Sequence, residues 1–117
     1  MPELTIEQLQ QCIRDFAEAR DWDQFHSPKN LSMALIAEAA ELVEHFQWLT
    51  QAQSKALPKN KHDEVSLELA DIFIYLLRLA DKLDIDLIDV ATRKIELNAE
   101  KYPADSVRGS AKKYTEY

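Results

Sequence analysis

Apolar residues recur every three or four positions through most of the chain, which is the period of an α-helix with one buried face. This pattern predicts four helices, at about residues 5–21, 28–50, 61–83 and 86–102. A single glycine in 117 residues argues against a sheet protein with many turns. We therefore expect one all-α domain over residues 1–117, built as a four-helix bundle.

Residues with capping chemistry stand where the predicted helices begin. Thr5 with Gln8 forms a capping-box pattern, and Ser27 followed by Pro28 is typical of a helix start. Asp86 occupies the same position before the last helix. The remaining residues, 103–117, have no periodicity and predict a short tail with a net charge of +1, from three basic and two acidic side chains.

The third predicted helix contains a segment, Leu67 to Ala80, that is apolar on nearly every side. A helix of this kind must be covered all round, and three partner helices from a chain of this length leave part of it bare. We therefore expect a homo-oligomer. Our hypothesis for its size, which the helix pattern does not determine, is a tetramer arranged as a dimer of dimers.

Two pairs of acidic residues interrupt these apolar patterns. Glu38 and Glu41 are three residues apart in the second helix, and Glu68 and Asp71 have the same spacing in the third. Residues three apart are neighbours on a helix surface, so each pair converges on one point. Oxygen-only ligands favour Mg²⁺, or Mn²⁺ as a substitute, and no cysteine or histidine lies at zinc spacing.

Two other interpretations of the acids are weaker. Salt bridges or simple solvation explain a single glutamate well, but they explain two matched pairs inside apolar stripes poorly. A di-iron carboxylate bundle needs Glu-x-x-His on two helices, and the chain has no such motif.

Charge and composition limit the partners and the compartment. The net charge of -7 disfavours a nucleic-acid polymer as partner, although a divalent cation could still bring a nucleotide to an acidic site. The lone Cys12 cannot form an internal disulfide. No signal-peptide pattern is present, and the 67–80 segment is too short and too charged to span a bilayer. We expect a cytoplasmic protein without a membrane anchor.

The acidic pairs lie within a longer series of motifs that resembles a known family. The order and spacing of the motifs resemble the MazG-type all-α nucleoside triphosphate pyrophosphatases, most closely the dCTP pyrophosphatase branch. The resemblance extends from Leu4 to Glu116 and is carried by R-D-W-D-Q-F-H (20–26), P-K-N-L (28–31), E-A-A-E (38–41), E-L-V-E-H-F-Q-W (41–48), E-L-A-D (68–71), D-I-F-I-Y-L (71–76), K-Y-P-A (101–104) and K-K-Y-T-E (112–116).

The resemblance implies an Mg²⁺-dependent enzyme that hydrolyses dCTP or a related deoxynucleotide to the monophosphate and pyrophosphate. Such an enzyme would clean or balance the nucleotide pool. Its implied metal ligands are Glu38, Glu41, Glu68 and Asp71. One of these acids, or a nearby one such as Glu44, would activate the attacking water, and our hypothesis assigns this role to Glu41, with Glu38 as its catalytic partner.

Other residues are candidates for binding the nucleotide. Lys94, Asn98 and Tyr102 are spaced four apart on the last helix, and the resemblance places the first two at the phosphates or the sugar. A pyrimidine needs an aromatic surface and a few hydrogen bonds. The candidates for the base are Trp22, His26, Trp48 and Tyr75, whereas Phe46 is assigned to the core.

Two alternatives remain open at this point. The same chemistry could act on another base, such as dATP, dUTP or a modified dCTP. The chain could also be a metal-binding helical interaction module without catalytic activity.

Overall fold

All the regular secondary structure that the computed structural model describes, within residues 3–111, is helical. The four long helices predicted from the hydrophobic pattern are present: α1 Ile6–Ala19, α2 Pro28–Glu44, α4 Lys59–Lys82 and α5 Leu87–Lys101. Shorter elements stand between and after them: a 3₁₀ turn Asp23–Phe25, α3 Gln51–Ser54 and α6 Ala104–Val107. The predicted all-α fold is confirmed.

The predicted caps form the expected hydrogen bonds. The Thr5 hydroxyl accepts from the backbone N–H of Gln8 at 3.1 Å, and the Gln8 side chain accepts from the Thr5 N–H at 2.9 Å. The Ser27 hydroxyl accepts from Asn30 N–H, also at 3.1 Å. Each bond satisfies a donor that the first turn of a helix leaves without a partner.

The second helix is shorter than the sequence predicts. It was expected to reach residue 50, but it ends at Glu44, and consecutive turns lead from His45 to Leu49. The chain then starts α3 with a second capping box, in which the Thr50 hydroxyl accepts from Gln53 N–H at 3.1 Å. The apolar spacing continues through Phe46 and Leu49, which is why periodicity alone extends the helix too far.

The chain divides into two compact units, the first ending at Asp84 and the second beginning at Ile85. In the first unit, α4 packs along α2 and more briefly against α1. Its buried apolar residues are Ala17, Leu31, Val65, Leu77 and Ala80. Asp84 takes a positive φ of 54°, a left-handed conformation that lets the chain leave the end of α4.

The second unit contains α5 and α6. The Asp86 carboxylate accepts from Asp89 N–H at 3.1 Å and caps α5, which ends at Lys101 just before Pro103. The tail was expected to lack helical structure, but its first residues form α6. The predicted basic positions Lys112 and Lys113 lie outside the described residues.

Many of the large apolar side chains of α4 are exposed. Leu67 is 70% exposed, and large apolar side chains along the helix, including Leu69, Phe73, Ile74 and Leu76, are also exposed. Within the described residues, no helix is both long and apolar enough to cross a bilayer.

Candidate active site and metal centre

Three of the four predicted acidic ligands converge between α2 and α4. One carboxylate oxygen from each of Glu38, Glu41 and Glu68 lies within 4.8 Å of the others. Glu38 and Glu68 are half-buried, whereas Glu41 is exposed. Because α2 packs along α4, acids one turn apart on each helix are brought to the same place.

The carboxylates of this cluster repel one another when they are ionised. A hydrogen bond shared with Glu68, followed by burial and the charge of Glu41, raises the pKa of Glu38 from 4.5 to about 7. That hydrogen bond requires a proton on one of the two acids. A cation between the oxygens would remove the same repulsion without a proton.

One atom of the cluster fits a cation especially well. Glu68 Oε1 is buried, and no hydrogen-bond donor among the described residues reaches it. A buried carboxylate oxygen without a donor is costly, and a metal ion satisfies it directly. The donor set is made of carboxylate oxygens only, which is the chemistry of a hard divalent cation. The residues therefore fit a metal centre.

A cavity of about 320 Å³ in the first unit adjoins this cluster, because Glu38 lines it. One part of its wall is apolar and aromatic, and there the Trp22 and Phe16 rings form a T-shaped pair with 5.7 Å between centroids. The polar part of the wall is formed by His26, Glu38, Asp71, Tyr75 and Arg78. The cavity thus has an aromatic surface and an acidic side, as a nucleotide with a bound cation requires.

Asp71 is placed on the cavity wall rather than within the group of three glutamates. It lies one helical turn after Glu68 on α4 and is exposed. Its assignment as a fourth metal ligand stays a prediction, and its carboxylate faces the same cavity as Glu38.

Three predicted base-binding residues meet at the cavity, and one does not. Trp22, His26 and Tyr75 all line it. Trp48 is 88% exposed and is not part of this wall. A helix continuing to residue 50, as predicted, would put Trp48 two turns beyond Glu41, but α2 ends at Glu44. Phe46, assigned to the core, is half-buried.

The predicted phosphate-binding residues belong to the second unit. Lys94 and Asn98 are exposed and one turn apart on α5, and Tyr102 follows directly after its last residue. The predicted spacing therefore holds on α5 for Lys94 and Asn98, whereas Tyr102 lies just beyond the helix. Their contact with a nucleotide stays a prediction.

Sequence analysis missed a buried arginine at the cavity. Arg78 is only 4% exposed, and its Nη2 donates to Asp23 Oδ1 at 2.8 Å. Its Nε donates to His26 Nδ1 at 3.1 Å. A signal was present, because Arg78 is the only basic residue in the apolar segment 67–80 and lies seven residues after Asp71. Two helical turns put both residues on the same side of α4.

Comparisons with known proteins find relatives of this chain. Residues 34–117 match the model of the MazG-like family. The chain is 41% identical to mouse dCTP pyrophosphatase 1 and 40% identical to the human protein, over 98% of this chain and 69% of each relative. The structure is also similar to that of a pyrophosphatase from Archaeoglobus fulgidus, with a TM-score of 0.81 and 38% identity over 88% of this chain and 96% of that one.

Proposed function

Because the chain belongs to the MazG-like family, we propose that it is a nucleoside triphosphate pyrophosphohydrolase that converts dCTP, or a related deoxynucleotide, to the monophosphate and pyrophosphate. The observation that carries this proposal is the shared position of Glu38, which belongs both to the carboxylate cluster and to the wall of the aromatic cavity. A cation and a nucleotide base can therefore be held side by side.

The resident cation is Mg²⁺, with Mn²⁺ as a substitute, held by Glu38, Glu41 and Glu68 together with Asp71. The family and the acid cluster support dependence on a metal, and oxygen ligands favour these two ions. When bound, a divalent ion neutralises charge on the triphosphate and on the group that leaves.

The chain's own acids supply the proton chemistry. Water attacks the α-phosphorus, the bond to the bridging oxygen breaks and pyrophosphate leaves. The proton released by the water goes to a carboxylate, and Glu41 is assigned this role, with Glu38 beside it. The exposure of Glu41 supports this choice, because water can reach an exposed carboxylate directly.

The base occupies the aromatic part of the cavity. Trp22 and Tyr75 provide ring surfaces there and His26 provides a polar edge. Trp48 is retained as a base contact and Lys94, Asn98 and Tyr102 as contacts to the phosphates and sugar, on the basis of the resemblance alone. dCTP is the proposed substrate, with dATP, dUTP and modified dCTP as alternatives.

The working form is a homo-oligomer, with a tetramer formed as a dimer of dimers. The exposed apolar residues along α4 support this part of the proposal, since they need a protein surface to cover them. The enzyme acts in the cytoplasm on free nucleotides.

The deciding experiment measures pyrophosphate release from each of the four dNTPs and from 5-methyl-dCTP, with Mg²⁺ and with EDTA. We expect metal-dependent release that favours dCTP. Release spread evenly over the bases would keep the reaction and reject the cytosine preference. No release from any nucleotide by a folded protein would favour a non-catalytic helical module.

Two variants link the reaction to the site. The double variant Glu38→Ala/Asp71→Ala should abolish release, because it removes one acid from each helix. Glu41→Gln should abolish turnover while the nucleotide still binds. Loss of metal binding in Glu41→Gln would instead make this residue a ligand only.

A further inference from the structure

Arg78 is a buried cation on α4 in the first unit. Its guanidinium sits at the cavity wall, 4% exposed, with Asp23 on one side and Asp81 at 3.7 Å on another. A buried charge must be compensated, and these two carboxylates do so. Each keeps a further cation: Lys82 pairs with Asp23, and Arg14 pairs with Asp81 at 2.7 Å.

The third partner of Arg78 is not an acid but the imidazole of His26. Arg78 Nε lies 3.1 Å from His26 Nδ1. A guanidinium can only donate hydrogen bonds, so Nδ1 must be the acceptor and carries no proton. A neutral imidazole keeps one proton, which must then sit on Nε2. The contact therefore fixes both the charge and the tautomer of His26.

The electrostatic surroundings favour the same state. Burial, followed by the positive charges of Arg78 and Lys82, lowers the pKa of His26 from 6.5, and the charge of Asp23 opposes them. The Nε2–H group receives no hydrogen-bond acceptor from residues 3–111, and the ring lines the cavity. An uncharged donor that has no partner within the described part of the chain thus lies beside the aromatic wall.

We propose that Arg78 is a positioning residue, which holds His26 as a neutral Nε2–H donor that recognises an acceptor atom on the edge of the nucleobase. The group recognised is a carbonyl oxygen or an unprotonated ring nitrogen. A neutral donor next to aromatic rings suits an uncharged base better than a phosphate, which pairs with cations. The identity of the ligand in this inference rests on the proposed function, whereas the state of the His26 donor rests on the geometry of Arg78.

The first test reads the tautomer directly in the full-length protein without a ligand. Nitrogen NMR of ¹⁵N-histidine-labelled protein at neutral pH should show His26 with a protonated Nε2 and a bare Nδ1. In Arg78→Met, the Nε2–H form should give way to a mixture of tautomers. The variant should still fold, because Asp23 keeps Lys82 and Asp81 keeps Arg14.

Lys82→Met is the matched control for that variant. It removes a positive charge bound to the same Asp23 but takes no hydrogen bond from His26. It should leave the Nε2–H tautomer unchanged. A protonated Nδ1 in the wild type, or the same tautomer in Arg78→Met as in the wild type, would overturn the assignment.

The second test reads the contact to the base through kinetics. His26→Phe keeps a ring and loses the donor, so KM for the preferred dNTP should rise about tenfold while kcat changes little. The same variant should show no such penalty with the triphosphate of 1,2-dideoxyribose, which has no base. Arg78→Met should raise KM in the same direction, and Lys82→Met should not.

Substituting glutamine or asparagine for His26 shows which ring nitrogen contacts the base. The amide nitrogen of glutamine can stand near the position of Nε2, and that of asparagine near Nδ1. His26→Gln should therefore recover much of the affinity that His26→Asn does not. Equal KM for the wild type and His26→Phe in an active enzyme would overturn the base contact and leave the proposed reaction intact. An inactive wild type would overturn both the reaction and the base contact, while NMR would still decide the role of Arg78.

Discussion

At the scale of single residues, Glu38 has the most unusual environment among the predicted ligands. Its pKa is raised to about 7, chiefly by the hydrogen bond shared with Glu68 and then by burial and Glu41. The folded, metal-free protein therefore binds a proton more tightly at this position than the unfolded chain does. Between pH 4.5 and about 7, this makes folding less favourable as the pH rises.

Glu38→Gln tests this linkage through thermal unfolding in EDTA. The wild type should lose stability as the pH rises through the window from 4.5 to about 7, because ionising Glu38 restores the repulsion in the cluster. The variant should lack this loss. His26 changes stability in the opposite direction, because its lowered pKa makes folding less favourable below pH 6.5. Subtracting the pH profile of the variant from that of the wild type removes this contribution, which both proteins share.

Mg²⁺ should also reduce the loss of stability that the wild type shows as the pH rises. With the ion present, the wild type should gain stability most at the alkaline end of the window, where the acids are ionised. Parallel pH profiles of wild type and Glu38→Gln in EDTA would show that Glu38 does not carry the raised pKa.

The residues of the site differ in how far the sequence could predict them. Spacing along each of two helices was enough to predict that Glu38, Glu41 and Glu68 lie close together, because the matched pairs meet when α2 packs against α4. Arg78 could not be interpreted in that way. Its partners Asp23 and His26 come from a different segment, and only the packing of α4 brings them within hydrogen-bond distance.

At the scale of the elements, local side-chain chemistry sets where helices begin. All three predicted caps form, because a hydroxyl or carboxylate two or three residues before a free N–H needs no tertiary contact. Helix ends were harder to predict. The sequence also held a second capping box at Thr50 and Gln53, which marks the break after α2 more directly than apolar spacing does.

The cap of α2 should contribute measurably to stability. Ser27→Ala removes the acceptor for Asn30 N–H and should lower the free energy of unfolding by about 1 kcal/mol. Ser32→Ala is the matched control in the same helix, because its exposed hydroxyl donates to Lys29 O, which is not a capping bond. It should change stability by less than about 0.5 kcal/mol. Chemical denaturation measures both, and equal effects would contradict the role of Ser27 as a cap.

At the scale of the whole molecule, the main unexplained feature is the exposed apolar surface of α4. Leu31 and Leu77 are the largest fully buried side chains among residues 3–111, and Leu67, Leu69 and Phe73 remain exposed. The sequence predicted this excess from the all-round apolar character of residues 67–80. It could not predict which surface covers it, because complementarity between two surfaces is not encoded in the period of either.

Sedimentation at micromolar concentration should therefore detect a tetramer. Leu67→Glu should shift the protein toward smaller species, because it places a charge on the exposed apolar surface of α4. Asn60→Glu is the control, because it adds the same charge to an exposed position in the first turn of the same helix. A wild type that sediments as a monomer, or equal behaviour of both variants, would contradict assembly through α4.

The position of Glu38 between the acid cluster and the cavity has one more consequence. This carboxylate is part of the acid cluster and also lines the cavity, so a change in its charge on one side is felt on the other. Occupancy of the two places is then thermodynamically coupled, and coupling of this kind is reciprocal. Whatever factor a cation adds to the affinity for an anionic nucleotide, the nucleotide must add to the affinity for the cation. The concentration of either species would then set how well the protein responds to the other.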